Sequence, residues 1–476
     1  MPNLFTIALL ANAISGAILT TCHSADSDQD GEFFRDQVVP LLFEKCFSCH
    51  GGATREGGYS IENTEVLFRA GDSGAMPIDI RNIDASELLI RLKSQDTSAR
   101  MPLDSEPFDD TEIESVRLWI AAGAKVGENH SSTSLVEIYG RNKVSARAPS
   151  HYTNLLAVSS LLLSPDSKEL LVGGYSEVLV WNVDRQSLEA RLPTRGRFIT
   201  DMVWAPDGKL VVASGAPGRF GVLEAFKFAT RQPIQAFGFS RDVCLSIAAS
   251  PFRNEVVAGF SDGGVTIFSM DDYKPRVVSI PHSAGVTSVG WSSRDNRIFS
   301  SSLDRTAKSF EATGGHVLSA YADHERAVGG VANTQYGPIT LDETGTLKLW
   351  SDGEEARSIA KFEGLSQRVQ GIRVANEAIL VGEGERIRRL AIIQDEVDDD
   401  KPKDLDKDKS EPEKPKKKKR TRIKEMESLE SIPIESVQSI TANARGLVAA
   451  GLTNGQVVVW RTEESLKVWR TWNARP

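Results

Sequence analysis

A unit of about 40 residues recurs from about residue 150 to the end of the chain. Each copy reads as an apolar strand, a turn, a second strand, a small polar turn and a strand that ends in an aromatic residue. The clear copies end at Trp181, Phe268, Phe310, Trp350 and Trp460, and weaker ones end near Phe226 or Phe228 and near Leu390. A period of this length is typical of units of four strands. Most of the chain is therefore expected to be all-β.

These repeats resemble bacterial WD40 repeats. The turn-forming aspartate of that family is matched by Asp262, Asp304, Asp342 and Asn454, and its upstream histidine is loosely matched by His282 and His324. Seven copies imply an all-β seven-bladed WD40-type propeller over residues 151–476, a fold that leaves few open sheet edges. The matched polar residues are expected to be structural.

A charged stretch interrupts the sixth repeat. Residues 395–427 hold 12 acidic and 12 basic side chains and have no apolar periodicity. Such a composition cannot form a packed core, so we expect a disordered insert, with the fourth strand resuming at Leu429. A solvated tether is the default interpretation, and a docking segment for an anionic surface is the alternative. The formal net charge of −9 argues against nucleic acid as a partner.

Ahead of the repeats stands the pentapeptide Cys46-Phe47-Ser48-Cys49-His50. The C-x-x-C-H spacing is typical of a c-type haem attachment site, where two thiols bond the haem and the histidine ligates its iron. The alternatives are a redox C-x-x-C and half of a zinc site. Cys22 and Cys244 supply no second ligand pair, and no βαβ pattern surrounds the motif. We therefore predict one covalent haem c on Cys46 and Cys49, with His50 as the proximal ligand.

The second axial position of the iron has two candidate ligands. Met101, in Arg100-Met101-Pro102, lies in a polar loop just before a predicted helix, and its thioether is a soft donor to haem iron. Met76 is the rival, because it also precedes a proline. We predict Met101, since the helix that follows it should pack on the haem. No catalytic residues are predicted.

Short helices are expected around the pentapeptide. The first runs from Phe33 to Lys45 and is interrupted by Pro40, and the second runs from Ala85 to Lys93, with its leucines on one face. Small helices around one planar cofactor are the architecture that this pattern indicates.

A third helix is the clearest, because Asp109 and Glu112 can form a capping box and Gly123 can end the helix. The ordered segments C-x-x-C-H-G, GGYSIENTEVLFRAGDSG, SELLIRL, RMP and EIESVRLWIAAGA resemble the planctomycete-type cytochrome c domain. The resemblance implies a small all-α cytochrome c domain over residues 30–127, with the two cysteines, the histidine and the methionine of its R-M-P motif holding the haem.

The N-terminal residues predict export. An apolar run, Leu4 to Leu19, followed by small and polar residues resembles a secretory signal over residues 1–25. A lipoprotein signal with lipidated Cys22, and an uncleaved anchor, are the alternatives. The protein is expected to be periplasmic or on the cell surface, in contact with the membrane only through such an anchor or lipid. A polar linker is expected over residues 128–150.

The predicted function is one-electron transfer by an exported multidomain c-type cytochrome whose propeller docks a redox partner protein or an extracellular polymer. Two alternatives stay open. One is a WD40 interaction scaffold with a structural or redox-sensing haem. The other is a haem peroxidase-like enzyme, which would need an open iron site.

Overall fold

The structure is a computed structural model that describes residues 31–51, 55–103, 105–127, 132–142, 148–152, 156–351, 356–366, 369–375, 377–398, 417–431, 436–464 and 466–476. The chain divides into two compact units, Met1–Ile138 and Tyr139–Pro476. The predicted signal segment, with Cys22, lies outside the described residues. Within them, no helix has the length and apolar character that a membrane crossing requires.

Five α-helices lie among the described residues: α1 (Val39–Lys45), α2 (Phe47–His50), α3 (Glu87–Lys93), α4 (Asp110–Ala121) and α5 (Leu135–Asn142). A π-helical turn, Phe34–Val38, precedes α1, and 3₁₀ turns lie at Glu56–Gly58, Val66–Phe68, Ile83–Ala85 and Phe228–Thr230. The backbone is helical without a break from residue 31 to Lys45, and Pro40 lies in it as the second residue of α1, directly after the π-helical turn. The interruption predicted at Pro40 is thus present only as this change from π-helical to α-helical bonding.

Helix α4 forms as its sequence predicts. The side chain of Asp109 accepts a hydrogen bond from the backbone N–H of Glu112 at 2.8 Å, and the Glu112 carboxylate accepts one from the Asp109 N–H at 2.9 Å. This capping box satisfies two N–H groups that the helix itself leaves unpaired. Trp119 is buried on the inner face and stacks on Phe34 at 5.0 Å between ring centroids. Gly123 follows the last turn with φ of 92°, a conformation that suits glycine.

The expectation of an all-α cytochrome c domain is wrong. Between residues 46 and 104 the described chain contains only the four residues of α2, the seven of α3 and short turns, so this region is not a helical cytochrome fold. The reason lies in the segment 55–82, which is rich in glycine, serine and aspartate. Glycine is a poor helix former because of its backbone freedom. Serine, asparagine and aspartate side chains bond to nearby backbone in turns, as Asn63 and Asp79 do here, and so compete with helix formation.

The described part of the C-terminal unit forms six antiparallel sheets. The first contains β1 (Leu161–Leu163), β2 (Glu169–Gly173), β3 (Tyr175–Asn182), β4 (Ser187–Trp204), β5 (Leu210–Ala216), β6 (Phe220–Lys227) and β7 (Gln232–Ser240). The second contains β8 (Cys244–Ala249), β9 (Glu255–Phe260), β10 (Val265–Ser269) and β11 (Pro275–Ser279), and the third β12 (Val286–Trp291), β13 (Arg297–Ser302), β14 (Ala307–Glu311) and β15 (Val317–Tyr321).

The remaining three sheets also have four strands each. They contain β16 (Val328–Thr334), β17 (Gly337–Asp342), β18 (Leu347–Trp350) and β19 (Ser358–Phe362); β20 (Val369–Ala375), β21 (Ala378–Glu383), β22 (Arg386–Asp398) and β23 (Lys417–Glu425); and β24 (Val437–Ala442), β25 (Leu447–Leu452), β26 (Gln456–Arg461) and β27 (Val468–Asn473). Neighbouring sheets share apolar cores, and residues of the first and the last sheets lie in one such core. Burial on both faces explains why many strands are continuous apolar runs.

The seven-bladed propeller expected from the repeats is also wrong. Seven separate four-stranded sheets are not present in the described chain, because the first two repeats share one seven-stranded sheet. The cause is β4, whose 18 residues pair with β3 along their first part and with β5 along their last part. Pro193 and Gly196, which in a sequence indicate a break, lie inside this strand without ending it.

The charged stretch contains strand at both ends. Asp395 in β22 stands opposite Arg420 in β23, and its carboxylate also pairs with Arg422 at 2.9 Å. The fourth strand of this sheet is thus Lys417–Glu425 and does not begin at Leu429, so the expected disorder is wrong for these residues. Opposite charges facing each other across strands stabilise the pairing. Residues 399–416 lie outside the described residues.

Two histidines of the repeats lie in buried polar networks, as predicted. His282 bonds Asp304 through Nδ1 at 2.9 Å and Ser300 through Nε2 at 2.7 Å. His324 bonds Asp342 through Nδ1 at 2.8 Å and Thr340 through Nε2 at 2.7 Å. The first network ties the loop of His282 to β13 and to the turn that follows β13, and the second ties the loop of His324 to β17. Both histidines are therefore structural.

Candidate cofactor site

The N-terminal unit contains a cavity of about 350 Å³ that the pentapeptide lines. Its wall includes Leu42, Cys46, Cys49, His50, Tyr59, Ile61, Pro77, Leu88, Arg91, Leu92, Met101 and Pro102. The volume falls in the range of sites for small molecules and cofactors. Most of the lining surface is apolar, and Lys45, Glu56, Asp72, Glu87 and Arg91 add charged groups to it. Four of the residues predicted from the sequence, both cysteines, the histidine and Met101, therefore lie around one space.

Local helix geometry explains how the pentapeptide presents its side chains. Cys46 ends α1, because its N–H donates to the Leu42 carbonyl at 3.0 Å. Its own carbonyl then accepts from the N–H groups of Cys49 at 3.3 Å and of His50 at 3.0 Å, which closes α2. Residues three and four apart lie on the same face of a helical turn. Both thiols and the imidazole are thus directed to the same cavity.

The imidazole of His50 is fixed by the backbone of the following loop. Its Nδ1 lies 3.4 Å from the carbonyl oxygen of Tyr59. Because a carbonyl can only accept, Nδ1 carries the proton and donates, which leaves the lone pair on Nε2. The His50 carbonyl in turn accepts from the Ile61 N–H at 2.8 Å. A metal-ligating histidine typically donates a hydrogen bond from the ring nitrogen that does not bind the metal, as Nδ1 of His50 does to Tyr59, and this bond fixes the tautomer and the ring orientation.

The two thiols of the pentapeptide differ in environment. Burial raises the pKa of the Cys46 thiol to about 12, whereas Cys49 is exposed. Burial also raises the pKa of Tyr59, whose hydroxyl donates to the Leu67 carbonyl at 2.9 Å. Cys46 is therefore a neutral thiol at ordinary pH, with low nucleophilicity in the folded chain that lacks a cofactor.

The two methionines considered as ligands are placed differently. Met101 is partly buried and lines the cavity, while Met76 is 60% exposed and is not among the lining residues, although its neighbours Ala75 and Pro77 are. The thioether that shares a space with His50 is thus that of Met101.

Helix α3 contacts both methionine segments through backbone and side chain. The N–H of Glu87 donates to the Met76 carbonyl at 3.0 Å, and the N–H of Met101 donates to the Arg91 carbonyl at 3.1 Å. The guanidinium of Arg91 also donates to the Ala99 carbonyl at 3.4 Å. Sequence reasoning missed Arg91 and Tyr59. Tyr59 contacts His50 through its backbone carbonyl, and a sequence contains no side-chain pattern that would indicate such a contact. The sequence around Arg91 indicates only a charged residue on an amphipathic helix.

The third described cysteine takes no part in this site. Cys244 is fully buried in an apolar core shared by two sheets of the C-terminal unit, and burial raises the pKa of its thiol. It behaves as a small apolar residue, as free cysteines in cores commonly do.

Comparisons with known proteins agree with both resemblances. A family model described as Planctomycete cytochrome C matches residues 46–104, and one described as WD domain, G-beta repeat matches residues 274–311. No curated protein matches the chain. The crystal structure of the computationally designed Ika8 protein is similar to it, with 16% sequence identity, a TM-score of 0.49 and coverage of 69% of this chain and 90% of that one.

Proposed function

We propose that this protein is an exported one-electron carrier that holds one covalent haem c in its N-terminal unit. One observation carries the proposal: two thiols, an imidazole with its Nε2 lone pair and a thioether line the same apolar cavity. These are the donors that c-type haem proteins use for attachment and for axial ligation. The match to the planctomycete cytochrome model covers these residues and adds support.

Each residue has a defined part in this proposal. Cys46 and Cys49 would form the thioether bonds to the haem, and His50 would ligate its iron through Nε2. Met101 would supply a second ligand of the iron. A haem held by a histidine and a methionine would supply one-electron chemistry, and the methionine sulfur would raise its reduction potential relative to a second histidine. The Tyr59 carbonyl would keep His50 oriented, and the apolar wall would keep water from the iron.

Visible spectra of the purified full chain in both redox states test the proposal. The protein should be produced with export and with c-type haem attachment. We expect a six-coordinate low-spin spectrum of the folded protein that is unchanged by hydrogen peroxide. The haem itself should stay on the chain after denaturation and acid–acetone extraction, because it is covalently bound. Met101→Ala should convert the iron to a form that binds carbon monoxide or imidazole readily.

Met76→Ala is the matched control, since it removes a thioether outside the cavity wall and should leave the spectra unchanged. Wild-type iron that is five-coordinate or reacts with peroxide would favour the peroxidase-like alternative. Iron that cannot be cycled between its two redox states would favour a structural haem in a scaffold. A protein without covalent haem would contradict the proposal.

Export and docking complete the proposed function. The apolar run Leu4 to Leu19 supports export, and covalent haem attachment outside the cytoplasm is consistent with it. We assign to the C-terminal unit the docking of a redox partner protein or an extracellular polymer, since its two described histidine clusters, at His282 and His324, are structural. Fractionation of the producing cells, with and without residues 1–25, tests the location.

A further inference from the structure

The side chain of Arg91 joins helix α3 to the loop that carries Met101. Its Nε donates to the Glu87 carboxylate at 2.8 Å, one helical turn earlier, and its Nη1 donates to the Ala99 carbonyl at 3.4 Å. Its backbone carbonyl accepts from the Met101 N–H at 3.1 Å. Arg91 therefore bonds the Met101 loop at two points, Ala99 and Met101 itself.

The rest of this loop is bonded to itself. Asp96 accepts hydrogen bonds from the backbone N–H and the hydroxyl of Ser98 at 2.9 and 2.7 Å. The Asp96 carbonyl accepts from the N–H groups of Ala99 and Arg100 at 3.0 and 2.8 Å. These contacts give the turn its shape, but they do not attach it to the wall of the cavity. Among the described polar contacts, attachment just before Met101 comes from Arg91.

The Glu87 carboxylate directs the guanidinium to this position. The ion pair is partly shielded, with 36% of the Arg91 side chain and 24% of the Glu87 side chain exposed. Because Nε is held by Glu87, the fork of the planar guanidinium directs Nη1 to a fixed place along the helix. A lysine has one nitrogen and cannot satisfy both partners with this geometry.

We propose that Arg91 is a positioning residue for Met101, which holds the thioether at its place in the cavity so that the iron keeps its methionine ligand. This inference rests on the proposed function. The bond between haem iron and a thioether is weak. It withstands competing ligands only if the loop that carries the thioether is already ordered, because ordering that loop at each rebinding would cost conformational entropy. Arg91 supplies that order without itself touching the iron.

Imidazole titration of the ferric holoprotein tests the inference, because imidazole competes with the methionine for the iron. Arg91→Gln should bind imidazole about tenfold more tightly than the wild type, as expected for loss of a charge-assisted hydrogen bond that holds the loop. It should also weaken the far-red charge-transfer band of methionine-ligated ferric haem. Arg91→Lys should restore part of both properties, since it can donate to the Ala99 carbonyl.

Arg117→Gln is the matched control. Arg117 is also a helical arginine in an ion pair one turn away, with Glu114 at 2.6 Å, but it does not line the cavity. It should behave as the wild type. Circular dichroism and covalent haem content establish that each variant is folded and loaded.

The outcomes separate this inference from the proposed function. A wild type without covalent haem overturns both. A loaded wild type whose imidazole affinity is unchanged by Met101→Ala overturns the positioning role of Arg91 and leaves the covalent haem in place. Loaded Arg91→Gln with wild-type imidazole affinity and an intact far-red band overturns the inference alone.

Discussion

Histidines and cysteines are used in opposite ways in the two units of this protein. In the C-terminal unit, His282 and His324 bond through both ring nitrogens, and Cys244 is enclosed in an apolar core. In the N-terminal unit, His50 bonds through Nδ1 to a backbone carbonyl, and its side chain lines a cavity together with two thiols. A residue type alone therefore does not identify a site. What matters is whether the surroundings satisfy the side chain or leave a donor atom for a ligand.

Replacement of His50 should give the largest effect that this comparison predicts. In His50→Ala the iron loses its proximal nitrogen, so the low-spin spectrum should disappear while the thermal unfolding of the C-terminal unit stays the same. His282→Ala is the converse variant and should leave the spectrum intact. Absorption spectra and melting curves of both variants check this. A spectral loss in His282→Ala as large as in His50→Ala would break the comparison.

Alkylation of the haem-free chain distinguishes the three described thiols. At pH 7, iodoacetamide should modify exposed Cys49 first and Cys46 at least about tenfold more slowly, because burial raises the Cys46 pKa to about 12. Cys244 should react only on unfolding. Mass spectrometry of timed digests measures the three rates. Equal rates at Cys46 and Cys49 would show that the turn of α2 opens without the cofactor.

Loss of a buried histidine should destabilise the C-terminal unit. His324→Gln breaks the bond to Asp342 and leaves buried Thr340 and Trp350 in an incomplete network. We expect a loss of about 2–4 kcal/mol in its unfolding free energy, measured in urea. His316→Gln replaces an exposed histidine of the same unit and should change stability by less than about 0.5 kcal/mol. Similar losses in both variants would argue against the network.

Acidification should weaken the C-terminal unit by a smaller amount. Burial lowers the pKa of His282 below its usual 6.5, against the opposing hydrogen bond to Asp304, so the folded state prefers the neutral ring. Stability is then complete above pH 6.5 and falls as the pH drops below that value. Urea unfolding between pH 7.5 and 5 measures this, and the fall should be absent in His282→Gln.

Asp342 adds a second step at lower pH. Burial alone would raise its pKa, but hydrogen bonds with His324 and Thr344 outweigh burial and lower the pKa to about 2. The contribution of Asp342 to the stability of the folded unit is present above pH 3.8, the usual pKa of an aspartate, and is lost as the pH falls towards 2. Stability that rises on acidification in either range would contradict the assignment of these groups.

The features predicted correctly from the sequence are encoded in short segments. The capping box of α4 needs only Asp109 and Glu112, and the turn that gathers Cys46, Cys49 and His50 needs five consecutive residues. Local hydrogen bonding decides both, so a local pattern is sufficient.

The features missed from the sequence depend on distant partners. Whether β4 ends at Pro193 or continues so that it also pairs with β5 depends on the strands available on each side, and the period of a repeat does not contain that information. The charged ends of β22 and β23 form strands because opposite charges pair across them. Likewise, Arg91 gains its role only when Ala99 is brought back to α3.

The intact mass of the purified, denatured chain tests the central claim most directly. A single covalent haem on Cys46 and Cys49 predicts the mass of the processed chain plus one haem, and the double variant Cys46→Ser, Cys49→Ser should lack that increment. A wild-type chain whose mass shows no haem would contradict the account, as would an increment that persists in the double variant.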